Sequence, residues 1–424
     1  MLKVAFSAVG CKINQYEVQC MAEALEPYCF QVVPFDERAD IYVINTCTVT
    51  AKADYTSRQM IRRALRKSGK VIVTGCYAEL EPSTIKSLGN ITFVTGNKQK
   101  RDLPQIILNL CKIKNDKASG YSITRMDGHS RAFIKIQEGC TERCSYCIIW
   151  KARGKPSSRD PGEIIKEIND LYQNGYNEVV LTGVHIGKFK NGFNLTGLLK
   201  TILKETEIPR VRLSSLKPDE FKNELIELLA TERRICPHVH LPVQSGDDTI
   251  LQRMGRRYSA KSVYQLVNRL VEARQGITIG ADFIVGFPGE TKDDFENTIA
   301  MVKDIPIVHL HIFPYSDRPG TPASLFSDKI SPQEKSERSK RLKRIGDKKK
   351  RAHMKSFIGK KLDVIVENRQ SSGRLNGISG NYLRVGFTGD DTLMKKYVEI
   401  KVNEFSNDAL QGDPNSIKLI NDKK

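Results

Sequence analysis

Short apolar runs alternate with amphipathic runs through two long stretches of the chain, residues 1–112 and 132–330. In the first stretch this pattern predicts strands at residues 2–8, 41–45, 71–74 and 91–94, and helices near residues 16–25, 52–67, 82–88 and 103–110. Strands that alternate with helices in this way form a parallel sheet with helices packed against it. We therefore predict an α/β domain over residues 1–112.

The same alternation resumes after residue 131, where six strands are predicted. They span residues 133–137, 178–181, 211–214, 239–242, 277–285 and 308–313. Six β–α units are too few to close the eight-stranded barrel that this pattern can form. The pattern favours an open, partial (βα)6 barrel over residues 132–330 and leaves an open parallel sheet as the alternative.

Three further segments differ in composition. Residues 113–131 are polar and contain Gly and Ser, which indicates a linker. Residues 331–355 are strongly basic and are predicted to form a helical linker, either solvated or resting against phosphates. Residues 356–424 alternate apolar and polar side chains between Gly-rich turns, with strands predicted at 362–367, 382–388 and 397–402. The fold class is thus a multidomain α/β protein that ends in a small β-barrel.

The chain is strongly basic, with 68 Lys and Arg against 49 Asp and Glu and a formal net charge of +19. This excess favours a polyanionic partner such as nucleic acid, because binding phosphates releases their counterions. The alternative is a basic protein without such a partner. No apolar run approaches the roughly 20 residues of a membrane span, and the first residues lack a signal-peptide pattern. We therefore expect a cytoplasmic protein with no membrane partner.

Three of the ten cysteines, Cys140, Cys144 and Cys147, are spaced Cys-x3-Cys-x2-Cys and are called here the barrel cysteines. In a reducing compartment such thiols favour metal ligation over disulfides. Three thiolates on one loop can hold three irons of a [4Fe–4S] cluster and leave the fourth iron free to chelate S-adenosylmethionine (SAM). An electron delivered there cleaves SAM to a 5′-deoxyadenosyl radical. A zinc site would need a fourth ligand nearby, and His129, the nearest His, is predicted to lie beyond a strand.

A second group consists of Cys11, Cys47 and Cys76, called here the N-terminal cysteines, and each of them follows a predicted strand. The carboxyl ends of parallel strands meet at one edge of a sheet, where ligands bind. We therefore predict that the three thiols converge, and the pattern favours a second cluster over three unrelated buried thiols. The other four are interpreted as small buried hydrophobes: Cys20, Cys29, Cys111 and Cys236.

Several motifs carry a resemblance to a known family. The barrel-cysteine loop, with Tyr146 directly before its last Cys, resembles the radical SAM superfamily. The stretch CSYCIIWKARG at residues 144–154, with SSR at 157–159, resembles its methylthiotransferase family, although Trp150 stands where that family usually has Pro. The segments GCKINQYE, NTC and TGC around the N-terminal cysteines are similar to the first domain of the same family. Residues 356–419, through LDVIVEN and GNYLRV, resemble a TRAM domain, which is a small RNA-binding β-barrel.

The resemblance implies two [4Fe–4S] clusters with separate tasks. The barrel cysteines hold the cluster that generates the radical from SAM, the N-terminal cysteines hold an auxiliary cluster that offers sulfur, and a second SAM methylates that sulfur. The implied partners are the anticodon stem-loop of tRNA, an electron donor such as flavodoxin or ferredoxin, and a sulfur donor. No catalytic side-chain acid or base is expected, since the clusters and SAM carry the chemistry.

Candidate contacts to SAM are placed at the carboxyl ends of the barrel strands: Tyr146, Gly183, Ser214, Ser215 and Gln244. For each of them local turn chemistry is the alternative interpretation. Candidate contacts to RNA lie in the C-terminal module: Arg374, Tyr382, Arg384, Lys395 and Lys396. The alternative interpretation of this module is a small solvated barrel that does not bind RNA. Four histidines in or near strands lack metal-ligand spacing and are interpreted as structural: His185, His240, His309 and His311.

Within the family, GCKINQYE, LTGVHIG and RLSS are most similar to the subtype that methylthiolates N6-threonylcarbamoyladenosine (t6A), directly 3′ of the anticodon. A second subtype acts on N6-isopentenyladenosine and usually has Gln where Lys12 stands here. A third modifies an Asp of a ribosomal protein. Two alternatives lie outside the family: a non-catalytic iron–sulfur or zinc protein that binds RNA, and a radical SAM enzyme with a substrate other than RNA.

Overall fold

The computed structural model describes residues 1–67, 69–113 and 121–420. Residues 114–120, within the predicted linker, and 421–424, at the end of the predicted tail domain, lie outside the described residues. None of the helices described is long and apolar enough to cross a membrane.

The first domain is built on a parallel sheet. Its elements are β1 (Leu2–Ala8), α1 (Lys12–Leu25), β2 (Phe30–Val33), β3 (Ile41–Thr46), α2 (Ala51–Leu65), β4 (Lys70–Gly75), α3 (Cys76–Leu80), α4 (Pro82–Lys86), β5 (Phe93–Val94) and α5 (Leu103–Leu110). The strand order is β2–β1–β3–β4–β5, with every pair parallel. β3 is buried along its whole length between helices on both faces, as the βα alternation predicted. The short β2 was not predicted.

The central region contains two parallel sheets. Its strands are β6 (Ala132–Glu138), β7 (Ser157–Ser158), β8 (Glu178–Gly183), β9 (Lys190–Asn191), β10 (Phe193–Asn194), β11 (Arg210–Leu213), β12 (His238–Gln244), β13 (Thr278–Val285) and β14 (Ile307–Pro314). Its helices are α6 (Ile149–Arg153), α7 (Pro161–Gln173), α8 (Leu195–Glu205), α9 (Asn223–Thr231), α10 (Asp248–Arg253), α11 (Ala260–Ala273) and α12 (Lys292–Asp304).

The two sheets follow one another in the order β6–β8–β11 and β12–β13–β14, all parallel. A parallel bridge between Val211 and Ile235 joins β11 to the segment that leads into β12. Among the described strands these six therefore form a curved, open wall in sequence order, because β6 and β14 do not pair with each other. The predicted partial (βα)6 barrel is confirmed.

The remainder consists of one long helix and a small barrel: α13 (Pro332–Lys355), β15 (Lys361–Arg369), β16 (Leu375–Ser379), β17 (Arg384–Phe387), β18 (Tyr397–Ser406), β19 (Ala409–Gly412) and β20 (Lys418–Leu419). Strands β15–β16–β17–β19–β18 pair in that order, and a pairing of β15 with β18 closes the ring. The predicted small β-barrel is confirmed. Its β16 was not predicted, since Asn376 and Gly377 interrupt the strand pattern.

Both flanking domains dock on the partial barrel. Tyr16 of α1 is fully buried in the core of the barrel, and its hydroxyl donates to Glu167 of α7 at 3.0 Å. At the other end, the Arg212 guanidinium donates to the carbonyl oxygens of Ser379 and Gly380 in the small barrel. The partial barrel is therefore held between the N-terminal sheet on one side and the C-terminal module on the other.

Candidate active site: two groups of three cysteines

The N-terminal cysteines lie at the carboxyl ends of β1, β3 and β4. Cys11 is the N-cap residue of α1, Cys47 follows β3 directly, and Cys76 is the first residue of α3. Gly10 adopts a φ of +90°, and a Cβ placed on it would lie 2.7 Å from the Cys47 sulfur. The thiols of Cys11 and Cys47 thus meet beside a glycine that leaves room for both. The structure brings this predicted group together.

Gly75 gives Cys76 its position. Its φ is +101°, a conformation that side-chain-bearing residues avoid, and a Cβ there would lie 2.4 Å from the carbonyl oxygen of Thr46. β4 can therefore approach β3 closely enough to turn Cys76 toward Cys47. Burial raises the pKa of Cys47 to about 11, and the nearby thiols of Cys11 and Cys76 add to this effect. Ionising several of these thiols together requires a cation, which a metal centre provides.

A buried arginine connects this group to the partial barrel. Arg153, the last residue of α6, donates from Nε to the Cys76 sulfur at 3.3 Å. Asn97 Nδ2 donates to the same sulfur at 3.6 Å. The Arg153 guanidinium also donates to Glu17 at 2.9 Å and to Glu138 at 2.6 Å. The sulfur of Cys76 thus faces a positive charge that comes from the other domain.

Glu17 is the centre of this buried network. Its carboxylate accepts from Lys100 Nζ at 2.6 Å, from Lys135 Nζ at 3.1 Å and from Arg153. Burial opposes its charge, but the three cations outweigh that cost and hold the pKa of Glu17 well below its usual range. Sequence reasoning did not select these residues, although Glu17 and Arg153 lie inside the two motifs that carry the resemblance.

The barrel cysteines lie on the loop that follows β6. Gly139, with a φ of +76°, opens this loop, and a Cβ there would lie 2.1 Å from the carbonyl oxygen of Lys155. The Cys140 N–H donates to the Gly154 carbonyl at 3.0 Å, and the Cys147 N–H donates to the Cys144 carbonyl at 3.0 Å. The loop thus folds back on itself, and its three thiols lie close together. Burial and the neighbouring thiols raise the pKa of Cys147 to about 11.

Cys140 differs from its partners because a histidine contacts it. His185 Nδ1 lies 3.6 Å from the Cys140 sulfur, and its Nε2 makes a hydrogen bond with Glu220. Burial disfavours a Cys140 thiolate, but the hydrogen bonds from His185 and from the Glu142 N–H outweigh it and lower the pKa of this thiol. His185, interpreted as structural from the sequence, is therefore a direct neighbour of a barrel cysteine.

The candidate SAM contacts lie around the same mouth of the barrel. Gly183 ends β8, Ser214 and Ser215 follow β11, and Gln244 ends β12, so all four follow the strand ends nearest the loop. Gln244 has a φ of +73°, a left-handed conformation that costs a non-glycine residue about 1–3 kcal/mol. Tyr146 receives a hydrogen bond from Arg256, a residue that the sequence did not indicate. Contact of these five with SAM stays a prediction.

Contacts on both flanks hold the N-terminal cysteines over this mouth. On one flank Arg153 reaches Cys76. On the other, Arg318, in the loop after β14, donates to the Thr48 hydroxyl at 2.6 Å and pairs with Asp54 at 2.7 Å. Thr48 directly follows Cys47. The edge of the first sheet that carries the N-terminal cysteines is therefore fixed against the barrel mouth.

Among the described residues, one group of three or more His, Cys, Asp or Glu side chains has ligand atoms that all lie within 4.8 Å of one another, and it consists of His240, Asp282 and His311. In each cysteine group, at least one pair of sulfurs therefore lies farther apart than this distance, and an iron–sulfur cluster, with its own inorganic sulfides, can bridge such a separation.

The candidate RNA contacts occupy different positions in the small barrel. Arg384, Lys395 and Lys396 are exposed. Arg374 is half-buried and donates to Gln411 at 2.5 Å. Tyr382 is half-buried against the partial barrel, where its ring stacks on His238 with centroids 4.5 Å apart. RNA contact by all five stays a prediction.

Residues 134–302 match the radical SAM superfamily, and residues 3–96 match the uncharacterized protein family UPF0004. The chain is 36% identical to the threonylcarbamoyladenosine tRNA methylthiotransferase MtaB of Bacillus subtilis, over 95% of this chain and 94% of that protein. It is 39% identical to the protein of the same name from Aquifex aeolicus, over 87% of this chain and 94% of that protein. A tRNA-2-methylthio-N(6)-dimethylallyladenosine synthase of Staphylococcus epidermidis is 32% identical, over 95% of this chain and 83% of that protein.

Solved structures support the fold. The radical SAM methyltransferase TsrM from Kitasatospora setae superposes with a TM-score of 0.57 at 16% identity, covering 76% of this chain and 77% of that one. The cobalamin-dependent SAM radical enzyme OxsB superposes with a TM-score of 0.51 at 11% identity, covering 80% of this chain and 56% of that one. The motifs, the two domain matches and the relatives that cover nearly the whole chain agree with one another. The chain therefore belongs to the radical SAM methylthiotransferases of the MtaB type.

Proposed function

We propose that this enzyme methylthiolates t6A in the anticodon loop of tRNA, giving the 2-methylthio derivative. The observation that carries the proposal is that Arg153, at the end of the helix that follows the barrel-cysteine loop, contacts Cys76 of the N-terminal cysteines. An enzyme that must both activate a carbon and deliver sulfur to it needs two such centres within reach of one substrate. Two of the relatives above are named for threonylcarbamoyladenosine, which supports the choice of nucleoside.

The barrel cysteines would hold one [4Fe–4S] cluster, with SAM at the adjacent strand ends, and the N-terminal cysteines would hold a second. When bound, these groups supply a 5′-deoxyadenosyl radical and a transferable sulfur, chemistry that side chains alone do not provide. The chain contributes position and charge. Arg153 compensates thiolate charge at Cys76, His185 does the same at Cys140, and the strand ends at Gly183, Ser214, Ser215 and Gln244 form the floor on which SAM would rest.

The overall change replaces one adenine C–H bond by C–S–CH3. The hydrogen leaves on 5′-deoxyadenosine with methionine as the second product of the first SAM, and the methyl group comes from a second SAM, which leaves as S-adenosylhomocysteine. Reductive cleavage of the first SAM would take up one electron from a donor protein such as flavodoxin or ferredoxin, and joining the carbon radical to sulfide-level sulfur would give one electron back, so the overall change needs no net reductant. Each turnover consumes one sulfur atom that a sulfur donor must replace. Those two proteins and tRNA are the partners we propose.

The tRNA would be held by basic surface on more than one domain. Arg384, Lys395 and Lys396 are exposed on the small barrel. The helix α13 carries a mainly basic face that includes Arg344, Lys348 and Lys355 beside Asp347. Arg374 and Tyr382 complete the proposed RNA site on the tail. Such a distribution gives affinity without base-specific contacts, because it acts on phosphates.

The test is nucleoside mass spectrometry of tRNA from a strain with and without the gene, together with anaerobically reconstituted protein. We expect 2-methylthio-t6A to disappear in the deletion strain and about eight irons per chain in the protein, as two cubane clusters require. Loss of the isopentenyladenosine derivative instead would assign the other substrate. Stoichiometric zinc without iron would show that the protein is not a radical enzyme.

Single cysteine variants separate the two centres. Cys144→Ala should abolish SAM cleavage and all product. Cys47→Ala should leave SAM cleavage measurable but stop sulfur transfer. Cys111→Ala is the matched control, because Cys111 lies outside both groups, and it should behave like the wild type. Full methylthiolation by the Cys47 variant would refute the auxiliary-cluster assignment.

A further inference from the structure

One face of β12, β13 and β14 carries a cluster of polar side chains. On β13, Ile279, Ala281 and Phe283 are fully buried in the core on the outer, helix-covered face of the wall. Side chains of alternate residues point to opposite faces of a strand, so Asp282 points into the barrel lumen. His240 Nε2 lies 2.8 Å from the Asp282 carboxylate, and His311 Nδ1 lies 3.3 Å from the same oxygen.

His238 and His309 extend this lumen face toward the small barrel. A Cβ on Gly280 would lie 2.7 Å from His240 Nδ1 and 3.4 Å from the Cβ of His309, so this glycine leaves room for both rings. His238 Nδ1 and His309 Nε2 are both buried without a hydrogen-bond partner in the described part of the chain. Two buried nitrogens that lack partners are costly, and both belong to the lumen.

The opposite wall of the lumen is cationic. Arg212 donates to Glu178 at 2.7 Å and Arg131 pairs with the same carboxylate at 3.4 Å. Lys12 reaches this wall from the N-terminal domain, with its ammonium 5.9 Å from the centroid of the Phe133 ring. It lies close enough to Arg131, Arg212 and His238 for electrostatic repulsion.

The other charges around this lumen already have partners. Glu178 is shared by Arg131, Arg210 and Arg212, and Glu367 and Asp363 also pair with Arg131 and Arg210. Asp282 is bonded by two histidines, and Glu178 attracts Lys12 only from beyond ion-pair distance. Across residues 1–67, 69–113 and 121–420, no carboxylate lies within the 4.0 Å of an ion pair from the Lys12 ammonium. A half-buried cation among other cations, with no anionic partner of its own, is stabilised when an anion binds beside it.

We propose that the lumen recognises a carboxylate on the N6 substituent of the substrate base, with Lys12 as its counter-ion and His309 as a hydrogen-bonding partner. This inference rests on the proposed function, since t6A carries such a carboxylate on its threonine and a dimethylallyl group does not. Lys12 directly follows Cys11, so the anion would bind near the centre proposed to deliver sulfur. A lumen that holds this cation accommodates an acidic substituent and disfavours an apolar one, which would leave the charge uncompensated.

The test compares two anticodon stem-loop RNAs with the anaerobically reconstituted holoenzyme. One RNA carries t6A, and the other carries the same nucleoside with the threonine carboxylate converted to a primary amide. A charge-assisted hydrogen bond predicts a preference of about 10- to 100-fold in kcat/KM for the acid. Lys12→Gln should reduce the ratio toward one, Lys12→Arg should keep most of it, and His309→Phe should lower it by a smaller factor. Lys204→Gln, on the outer face of α8, is the matched control and should keep the wild-type ratio.

Iron content and RNA-independent SAM cleavage are measured for every variant, because Lys12 neighbours Cys11. If the wild-type enzyme modifies both RNAs at equal rates, the inference about the carboxylate is overturned, but the proposed methylthiolation of t6A is not. An equal loss on both RNAs in Lys12→Gln, without rescue by Lys12→Arg, would show a structural role and would also overturn it. If the Lys12→Gln protein loses iron, the inference is tested instead by the ratio of kcat/KM on the acid RNA to kcat/KM on the amide RNA. This ratio should be high in the wild type and lower in His309→Phe. A wild-type enzyme that ignores t6A and modifies isopentenyladenosine would instead refute the proposed function.

Discussion

Arg153 Nε donates a hydrogen bond to the sulfur of Cys76 at 3.3 Å, across the boundary between the partial barrel and the N-terminal domain. Arg153 ends the helix that follows the barrel-cysteine loop, so one rigid turn connects the two cysteine groups. The same guanidinium is bonded to Glu17 and Glu138, which fixes its orientation. Arg153 therefore helps to fix the position of Cys76 relative to the barrel, together with Asn97, whose amide contacts both the Cys76 sulfur and the Ala152 carbonyl.

The first prediction concerns the charge at Cys76. Arg153→Met removes an N–H···S hydrogen bond, and such bonds raise the reduction potential of iron–sulfur clusters. We expect the midpoint potential of the second cluster to become more negative, with a smaller shift in Arg153→Lys, which keeps the charge. Redox titration followed by electron paramagnetic resonance measures both. Identical potentials in wild type and Arg153→Met would contradict the assignment of Cys76 as a ligand.

The second prediction uses the backbone before Cys76. Gly75→Ala forces a side chain into a backbone conformation (φ +101°, ψ −169°) that is essentially restricted to glycine and costs about 1–3 kcal/mol, and its Cβ would overlap the Thr46 carbonyl. Cys76 should then move away from Cys47, so that reconstituted protein binds about four irons instead of about eight. Gly192→Ala is the matched control, because Gly192 has a φ of +73° but nothing within 4 Å of the added Cβ. If both variants bind the full complement of iron, the placement of Cys76 is not what Gly75 provides.

The third prediction concerns how the small barrel is held. Glu178 is fully buried and pairs with Arg131, Arg210 and Arg212. Arg131 and Arg210 also pair with Glu367 and Asp363, whereas Arg212 has no second carboxylate partner among the described residues and bonds the backbone of the small barrel. Glu178→Gln leaves Arg212 without a counter-ion and should destabilise the fold by about 3–5 kcal/mol, as breaking a buried ion pair does. Urea unfolding of the metal-free protein measures the change. Glu224→Gln, which breaks the exposed pair with Lys200, should cost about 0–1 kcal/mol.

The same variant has a defined pH dependence. Burial opposes the charge of Glu178, but the three arginines hold its pKa far below its usual value of 4.5. A group whose folded pKa is depressed contributes stability above its unfolded pKa and loses it as the pH falls toward the folded value. The difference in unfolding free energy between wild type and Glu178→Gln should therefore be full at neutral pH and shrink below about pH 4.5. A difference that stays constant down to pH 3 would contradict this electrostatic origin.

The sequence predicted the sheet edges well because strand and cysteine are adjacent in the chain. A thiol that follows a short apolar run must lie at the end of that strand, and parallel strands bring such ends together, as with Cys11 and Cys47. The contacts of Arg153 with Glu17 join residues 136 positions apart, and no local pattern indicates such a pairing. Buried charges are also exceptions to the tendency of charged residues to lie on the surface, so pattern reasoning assigns them to solvent.

Docking between domains was the other feature that the sequence did not show. The structure places Tyr382, a candidate RNA contact whose role stays a prediction, half-buried between His238 and Arg212. His240 of β12 and His309 and His311 of β14 were interpreted as structural because they lack the spacing of metal ligands. The pairing of β12 and β14 on either side of β13 puts His311 opposite Asp282 and His240 opposite Gly280, so both rings reach the same carboxylate. Periodicity identifies which face of a strand a residue occupies, but not which element covers that face.

The last prediction concerns the proposed RNA surface of the small barrel. Arg384 and Lys395 are exposed there, and in the described structure neither has an ion-pair partner. If each neutralises one phosphate, its change to Ala should weaken tRNA binding equally for all sequences. A plot of the logarithm of the tRNA-binding constant against the logarithm of the salt concentration should then become shallower by roughly 0.7–0.9 per replaced residue, since fewer counterions are released. Fluorescence anisotropy over a salt series measures both quantities. Lys204→Ala removes one equal charge from α8, outside the tail, and should leave the slope unchanged. If the slope becomes equally shallow in all three variants, the change reflects net charge alone and contradicts the proposed contacts.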